Sequence, residues 1–268
     1  RDEGTRSSRR LRREGRVPAV VYGLDADPVT VSVAWPDLRA ALTTDAEQLC
    51  TWFEQHQGRT DNLFTALNSA LINDGALLHI GENVVLEKPI EILYLNLGEE
   101  QSLLVQPRNL LVLEAGASAT LVERHIGGDS CSGFHNHLTE IHLAKDASLD
   151  HYRLQDESDQ THHLCTLFLS QEERSHYRGS HFSFGGAWAR TDFHALLRQT
   201  GAECEVNGLY TVGDQQLSDF HLRVHHAAPG CTSRERFKGI LYGKGRAVFD
   251  GHIIVDQDAQ GSDAQLSN

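Results

Sequence analysis

The feature that most constrains this chain is a turn signal that returns about every 30 residues. EAGAS (114–118), KDASL (145–149), QEERS (171–175) and TGAEC (200–204) each interrupt strand-like sequence at that spacing. From residue 76 onward, near-continuous apolar pieces such as VVLEKPIEILYLN and LLVQPRNLLVLEAG alternate with turns rich in Gly, Asp and Ser, without helical periodicity. A strand–turn–strand unit of that size cannot bury its apolar face alone; stacking unit on unit does so. The pattern predicts parallel strands over 76–268, with Gly116, Ala147 and Gly201 at coil corners. Periodicity alone leaves a β-sandwich with irregular strand spacing as the alternative.

Upstream the pattern changes twice. VPAVVYG and PVTVSVAW read as two strands around the turn signal LDADP. In TDNLFTALNSALINDG, Leu63, Phe64, Leu67, Ala70 and Leu71 recur at helical spacing. Thr60 or Asp61 can cap the start, and Gly75 can take the left-handed position after the end. The expected organisation is a basic β-rich segment (1–44), a helical linker and N-terminal cap (45–75) and a β-solenoid core (76–268). The fold class is mainly β.

Charge separates the same parts. Residues 1–16 hold seven arginines against Asp2, Glu3 and Glu14, a local net of +4 on a chain of net −13. The remainder therefore carries −17, which argues against nucleic-acid binding by the body. No stretch is long and apolar enough to span a membrane, and no apolar core of a signal peptide follows the basic start, so a cytoplasmic location is expected. A chain that lacks methionine and starts at Arg1 implies a natural start upstream. The five cysteines are widely spaced without a Cys-x-x-Cys pair, which points to small buried residues in a reducing compartment.

Two clusters have metal-ligand chemistry. In FHNHLTEIH (134–142), His135 and His137 share one face of a strand with Glu140 nearby, as in a cupin-like metal site; the plainer reading is a histidine-rich solvated strand. In VHHAAPGC (224–231), His225, His226 and Cys231 combine imidazole with thiol, the chemistry of transient iron–sulfur ligation. The alternative there is a turn made by Pro229-Gly230. GKGRAV (243–248) lacks the spacing of a phosphate loop and no helix follows, so it reads as a hairpin turn. No catalytic constellation is present, and no enzyme is expected.

The pattern Ser233, Lys238-Gly239-Ile240, Arg246-Ala247, Phe249, Gly251, Asp263 and Gln265 resembles the SufB/SufD family of iron–sulfur cluster assembly proteins, the SufD branch more closely. DNLFTALNSALINDGALLHIGENVVLEKPIEILYLN (61–96) is similar to the entry to the SufD core, and the likeness covers residues 50–268. It implies a right-handed parallel β-helix, a non-catalytic scaffold role, and a SufB-like subunit and SufC-like ATPase as partners. It also implies no tightly bound cofactor, beyond a transient iron–sulfur cluster at the SufB interface. The family continues past the position of Asn268 with a further strand segment and a helical domain, so the chain is expected to expose an open C-terminal edge able to self-associate. Residues 1–42 resemble the Ctc general-stress family of 5S-rRNA-binding ribosomal proteins through Gly4, Ser8-Arg9-Arg10-Leu11-Arg12, Pro18-Ala19 and Tyr22-Gly23. That likeness implies RNA contacts by Arg9, Arg10, Arg12 and Tyr22, and guanidinium forks suit phosphates. The functional expectations are thus a SufD-like scaffold, then an rRNA-binding protein, then a cupin-like metal protein.

Overall fold

Strand periodicity governs both parts of the chain. The structure, a computed structural model, describes residues 16–23, 26–34, 62–72, 74–96, 102–128 and 131–268. The chain divides into two units, Arg1–Arg59 and Thr60–Asn268. In the first, β1 (Arg16–Gly23) and β2 (Ala26–Ala34) pair antiparallel, as the two strand-like runs predict. The register shifts between Val21 and Gly23, at Tyr22. Arg9, Arg10 and Arg12 lie outside the described residues.

Among the described residues, the second unit opens with α1 (Leu63–Leu71) and continues in strands joined by turns. One sheet stacks β3 (Leu77–Ile80), β6 (Arg108–Leu113), β8 (Ser132–Leu143), β10 (Gln160–Gln171), β12 (Trp188–Leu197), β14 (Leu217–His226) and β16 (Arg246–Val255). The short β5 (Leu103–Val105) lies beside β8. The other stacks β4 (Ile90–Asn96), β7 (Ser118–Gly127), β9 (Ser148–Asp156), β11 (His176–Ser183), β13 (Glu203–Val212), β15 (Thr232–Leu241) and β17 (Asp263–Ser267). Neighbouring strands within each sheet are parallel, so each coil gives one strand to each sheet and the architecture is a parallel β-solenoid.

The recurring turn signals form one column of corners. Gly116, Asp146, Arg174, Gly201, Gly230 and Gly261 all have positive φ (52° to 73°) and lie 27 to 31 residues apart. Each of the first five donates its amide to a carbonyl of the next coil: Lys145, Glu173, Thr200, Pro229 and Gln260 respectively. Glycine meets this conformation without a Cβ penalty, and aspartate tolerates it. Arg174 is the outlier, and both arms of its guanidinium reach the Asp146 carboxylate one coil earlier at 2.8 Å. Beside the corners runs a column of small buried residues, Ala117, Ala147, Ser175, Ala202 and Cys231. GKGRAV is also a corner and not a hairpin: Gly243 has φ 60° and joins strands of different sheets.

Because register is parallel, alike residues stack across coils. Leu78, Leu111, Ile141, Leu169, Ala195, Val224 and Ile253 form one continuous inward column. Large and small residues alternate where rings need room: a Cβ on Gly208 would sit 2.1 Å from the Phe237 ring, and one on Gly239 would sit 2.2 Å from the Tyr210 ring.

The helix differs from expectation in face and in place. Leu63 and Leu71 are exposed, and the residue that is fully buried is Asn68. Asn68 Nδ2 donates to the carbonyls of Pro107 (2.9 Å) and Asn136 (2.8 Å), while Asn136 Nδ2 donates back to the carbonyl of Phe64 (2.7 Å). Phe64 also packs on Phe134 and Trp188, and the N-cap Asn62 reaches Asp192 at 3.1 Å. These contacts spread α1 over the outer face of β6, β8 and β12. It lies along a sheet face, with anchors on several coils.

The Gly208–Phe237 contact gives a direct test. Gly208→Val forces a branched side chain into the Phe237 ring and is expected to destabilise the protein by about 1–3 kcal/mol. Urea denaturation reads this out, and an unchanged midpoint would contradict the packing.

Candidate metal centre

Alternation along the strands sends polar residues into the solenoid interior over a stretch of β4 to β11. On β8, His135 and His137 point inward with Thr139 and Ile141, whereas Asn136, Leu138 and Glu140 point outward. Parallel pairing sets His163 beside His135 and Cys165 beside His137 on β10. From the facing sheet come Glu123 and His125 on β7, His151 and Arg153 on β9, and His181 on β11. All are nine-tenths buried or more.

A continuous network satisfies much of this polarity. Glu123 accepts from Asn109 Nδ2 (3.0 Å) and Arg153 Nε (2.9 Å), and its Oε2 lies 2.9 Å from His151 Nε2. His151 continues to the Tyr177 hydroxyl (3.1 Å), and the Tyr94 hydroxyl donates to Asn109 (2.8 Å). Burial pushes the Glu123 carboxyl up, but the His151 hydrogen bond and the charges of His151 and Arg153 outweigh it and hold it well below the carboxylate range. Burial likewise acts first on Glu157, and His163 and His135 outweigh it and keep that carboxyl low. Glu157 Oε1 lies 2.5 Å from His135 Nδ1, and Oε2 lies 2.8 Å from His163 Nδ1, the latter out of line for a hydrogen bond.

Three further imidazoles gather beside this network. The rings of His125 and His137 are 4.4 Å apart, those of His125 and His163 4.8 Å, and those of His137 and His163 5.0 Å. Each brings a ring nitrogen within 4.8 Å of the other two, and His135, Glu157 and His163 form an overlapping second group. Tyr94 stacks on His125 at 4.8 Å, nearly coplanar. Burial holds His125, His137 and His181 well below the ordinary histidine range, so these rings stay neutral and keep a lone pair for ligation. Nδ1 of His125 and Nδ1 of His137 are buried without a hydrogen-bond partner. A small cavity lined by Arg153, Gln155, His163, His181, Ser183 and Thr191 adjoins the cluster.

The structure therefore brings together His135 and His137 but replaces their expected company. Glu140 faces outward, where Arg108 Nε donates to it at 2.9 Å and burial raises its carboxyl to about 7. The residues that sequence reasoning missed are His125, His163 and Glu157. One coil length added to His135 lands on His163, which was the available signal; nothing comparable marks His125 or Glu157.

The second sequence candidate is not assembled. His225 and His226 are adjacent on a strand and so project to opposite faces. His225 pairs with Asp256 (2.8 Å) in solvent, and His226 is buried with Nε2 3.0 Å from the Ser233 hydroxyl. The Cys231 thiol sits in the corner column, donating to the Gln199 carbonyl at 3.3 Å. Cys131, Cys165, Cys204 and Cys231 are all buried; burial pushes the Cys165 thiol to about 12 and raises Cys204 and Cys231 as well. No thiolate set for a cluster exists among the described residues.

Residues 96–268 match the family described as SUF system FeS cluster assembly, SufBD core domain. Residues 1–68 match the Ribosomal L25p family. An iron–sulfur cluster assembly SufBD family protein of Synechocystis is 29% identical over 245 residues, 88% of this chain and 53% of its own length. Chloroplastic protein ABCI7 of Arabidopsis thaliana is 30% identical over 211 residues, 76% of this chain and 44% of its own. Iron–sulfur cluster assembly protein SufD of Escherichia coli is 29% identical over 183 residues, 68% and 43% of the two chains. The chain thus spans about half the length of the curated relatives it matches.

The buried network sets two stability tests. Glu123→Ala leaves the Arg153 guanidinium buried without its carboxylate and is expected to cost about 3–5 kcal/mol in urea denaturation. The double change Glu123→Leu with Arg153→Met recovers much of that loss, and equal damage in both variants would contradict the pairing. Glu235 provides the pH test. It is fully buried on β15, and burial raises its carboxyl from 4.5 to about 7. Between those values the folded chain keeps a proton that the unfolded chain has lost. Stability therefore falls as pH rises through the window, and the cost is complete above it. Glu235→Gln is expected to stabilise by about 1–3 kcal/mol near pH 8, a gain that shrinks towards zero below about pH 5. A gain independent of pH would rule this out.

Proposed function

Because the chain belongs to the SufBD family of iron–sulfur cluster assembly proteins, we propose that it serves as a SufD-like scaffold subunit, without catalytic chemistry of its own, in an assembly with a SufB-like subunit and a SufC-like ATPase. The observation that carries this reading is that the family core, residues 96–268, coincides with the stacked parallel strands from β5 to β17. The buried thiols of the described cysteines fit a scaffold better than an independent cluster carrier, so an iron–sulfur cluster is cargo, met transiently at the SufB interface. A second reading rests on the Ribosomal L25p match: Arg9, Arg10, Arg12 and Tyr22 contact RNA, with an affinity that falls steeply as salt rises.

Co-expression tests the scaffold role. The tagged chain is expected to retain both SUF subunits through size-exclusion chromatography. A chain that elutes without either subunit overturns the proposal.

A further inference from the structure

The interior histidines have a use that a scaffold role does not require. We propose that His125, His137 and His163 bind one divalent first-row transition-metal ion inside the solenoid, with Glu157 orienting His163 from behind. The argument starts with donors. Three imidazoles from three strands offer nitrogens within 4.8 Å of one another. Ligand nitrogens around a tetrahedral ion, at about 2.0–2.1 Å from the metal, require only a modest closing of that spacing. A purely structural histidine cluster would be expected to pair its ring nitrogens, yet Nδ1 of His125 and Nδ1 of His137 are buried and unpartnered.

Charge favours a cation as well. The cluster is flanked by two buried carboxylates, Glu123 and Glu157, and by one buried guanidinium, Arg153. A ligating imidazole commonly turns its other nitrogen to a carboxylate, and Glu157 Oε2 lies 2.8 Å from His163 Nδ1, near enough to accept that hydrogen bond if the ring turns on binding. Imidazole donors with no thiolate select zinc, iron(II), cobalt(II) or nickel(II) over calcium and magnesium.

The register explains why the site lies where it does. His135 and His137 are two apart on β8 and so share the inner face, and His163 is the ladder neighbour of His135 on the next coil. His125 stands on the opposite sheet, fixed by its stack on Tyr94. Preorganised rings of this kind need little reorganisation to take up an ion.

Cobalt(II) alone tests the site on the purified full chain after chelator treatment. The expected result is one equivalent bound through gel filtration, with the d–d absorption of a low-coordinate ion. His137→Asn and His163→Gln are expected to abolish it, and Glu157→Gln to weaken it about 10–100-fold while keeping the stoichiometry. His225→Ala, at an exposed His–Asp pair, should leave binding unchanged. Circular dichroism confirms that each variant is folded. Wild-type chain that is folded yet binds no cobalt(II) or zinc(II) overturns the proposal, and so does binding lost with His225 but kept without His137. The readout needs no SUF subunit, so its failure leaves the scaffold proposal standing, and failure of the pull-down leaves this one standing.

Discussion

Everything in the larger unit depends on the amide ladder that runs along the solenoid axis. Each corner donates its N–H to the next coil, and each strand repeats the bond along its length, so the distance between coils is set by backbone geometry. Side chains must then fit a fixed gap between strands of about 4.8 Å. Like packs on like because the residue one coil away is the immediate neighbour. Leucines and isoleucines therefore build uninterrupted columns, and a ring demands a glycine beside it, as Phe237 does of Gly208 and Tyr210 of Gly239.

The same rule allows a polar stretch to survive inside. A single buried glutamate would cost several kcal/mol. Here the coil length brings Arg153 and His151 to Glu123, and the facing sheet supplies Asn109, so the carboxylate meets three donors at 2.9–3.0 Å. The solenoid converts sequence separations near 30 into contact and so assembles a network that an isolated strand could not. The imidazoles beside it are less completely paired, and that residue of unmet hydrogen bonding separates a ligand-ready cluster from a structural one.

Much of this was readable in the sequence because the period is local information. The corners at Gly116 and Gly201 follow from glycine's tolerance of positive φ, and the strand content follows from alternation. Arg174 was hidden, since arginine carries no turn signal and its conformation rests on a partner 28 residues away. His135 and His137 were visible as a pair on one face, but Glu140 was drawn in by proximity along the chain although parity sends it outward. His225, His226 and Cys231 were grouped by nearness too, and strand alternation separates them. The buried face of α1 is hidden for a related reason: Asn68 looks like a surface residue until the carbonyls of Pro107 and Asn136, 39 and 68 residues away, take up its amide hydrogens.

The coil repeat has a bearing on how such a protein can change length. Where the inward neighbours are apolar on successive coils, as along Ala195, Val224 and Ile253, a whole coil could be duplicated or deleted and that column would still meet its own kind. Between β7 and β11 the same event would part Glu123 from Arg153 and His163 from His135, because each pair spans one coil step. A change in coil number is thereby tolerated only where the inward columns stay apolar, and the histidine-bearing coils keep a fixed order.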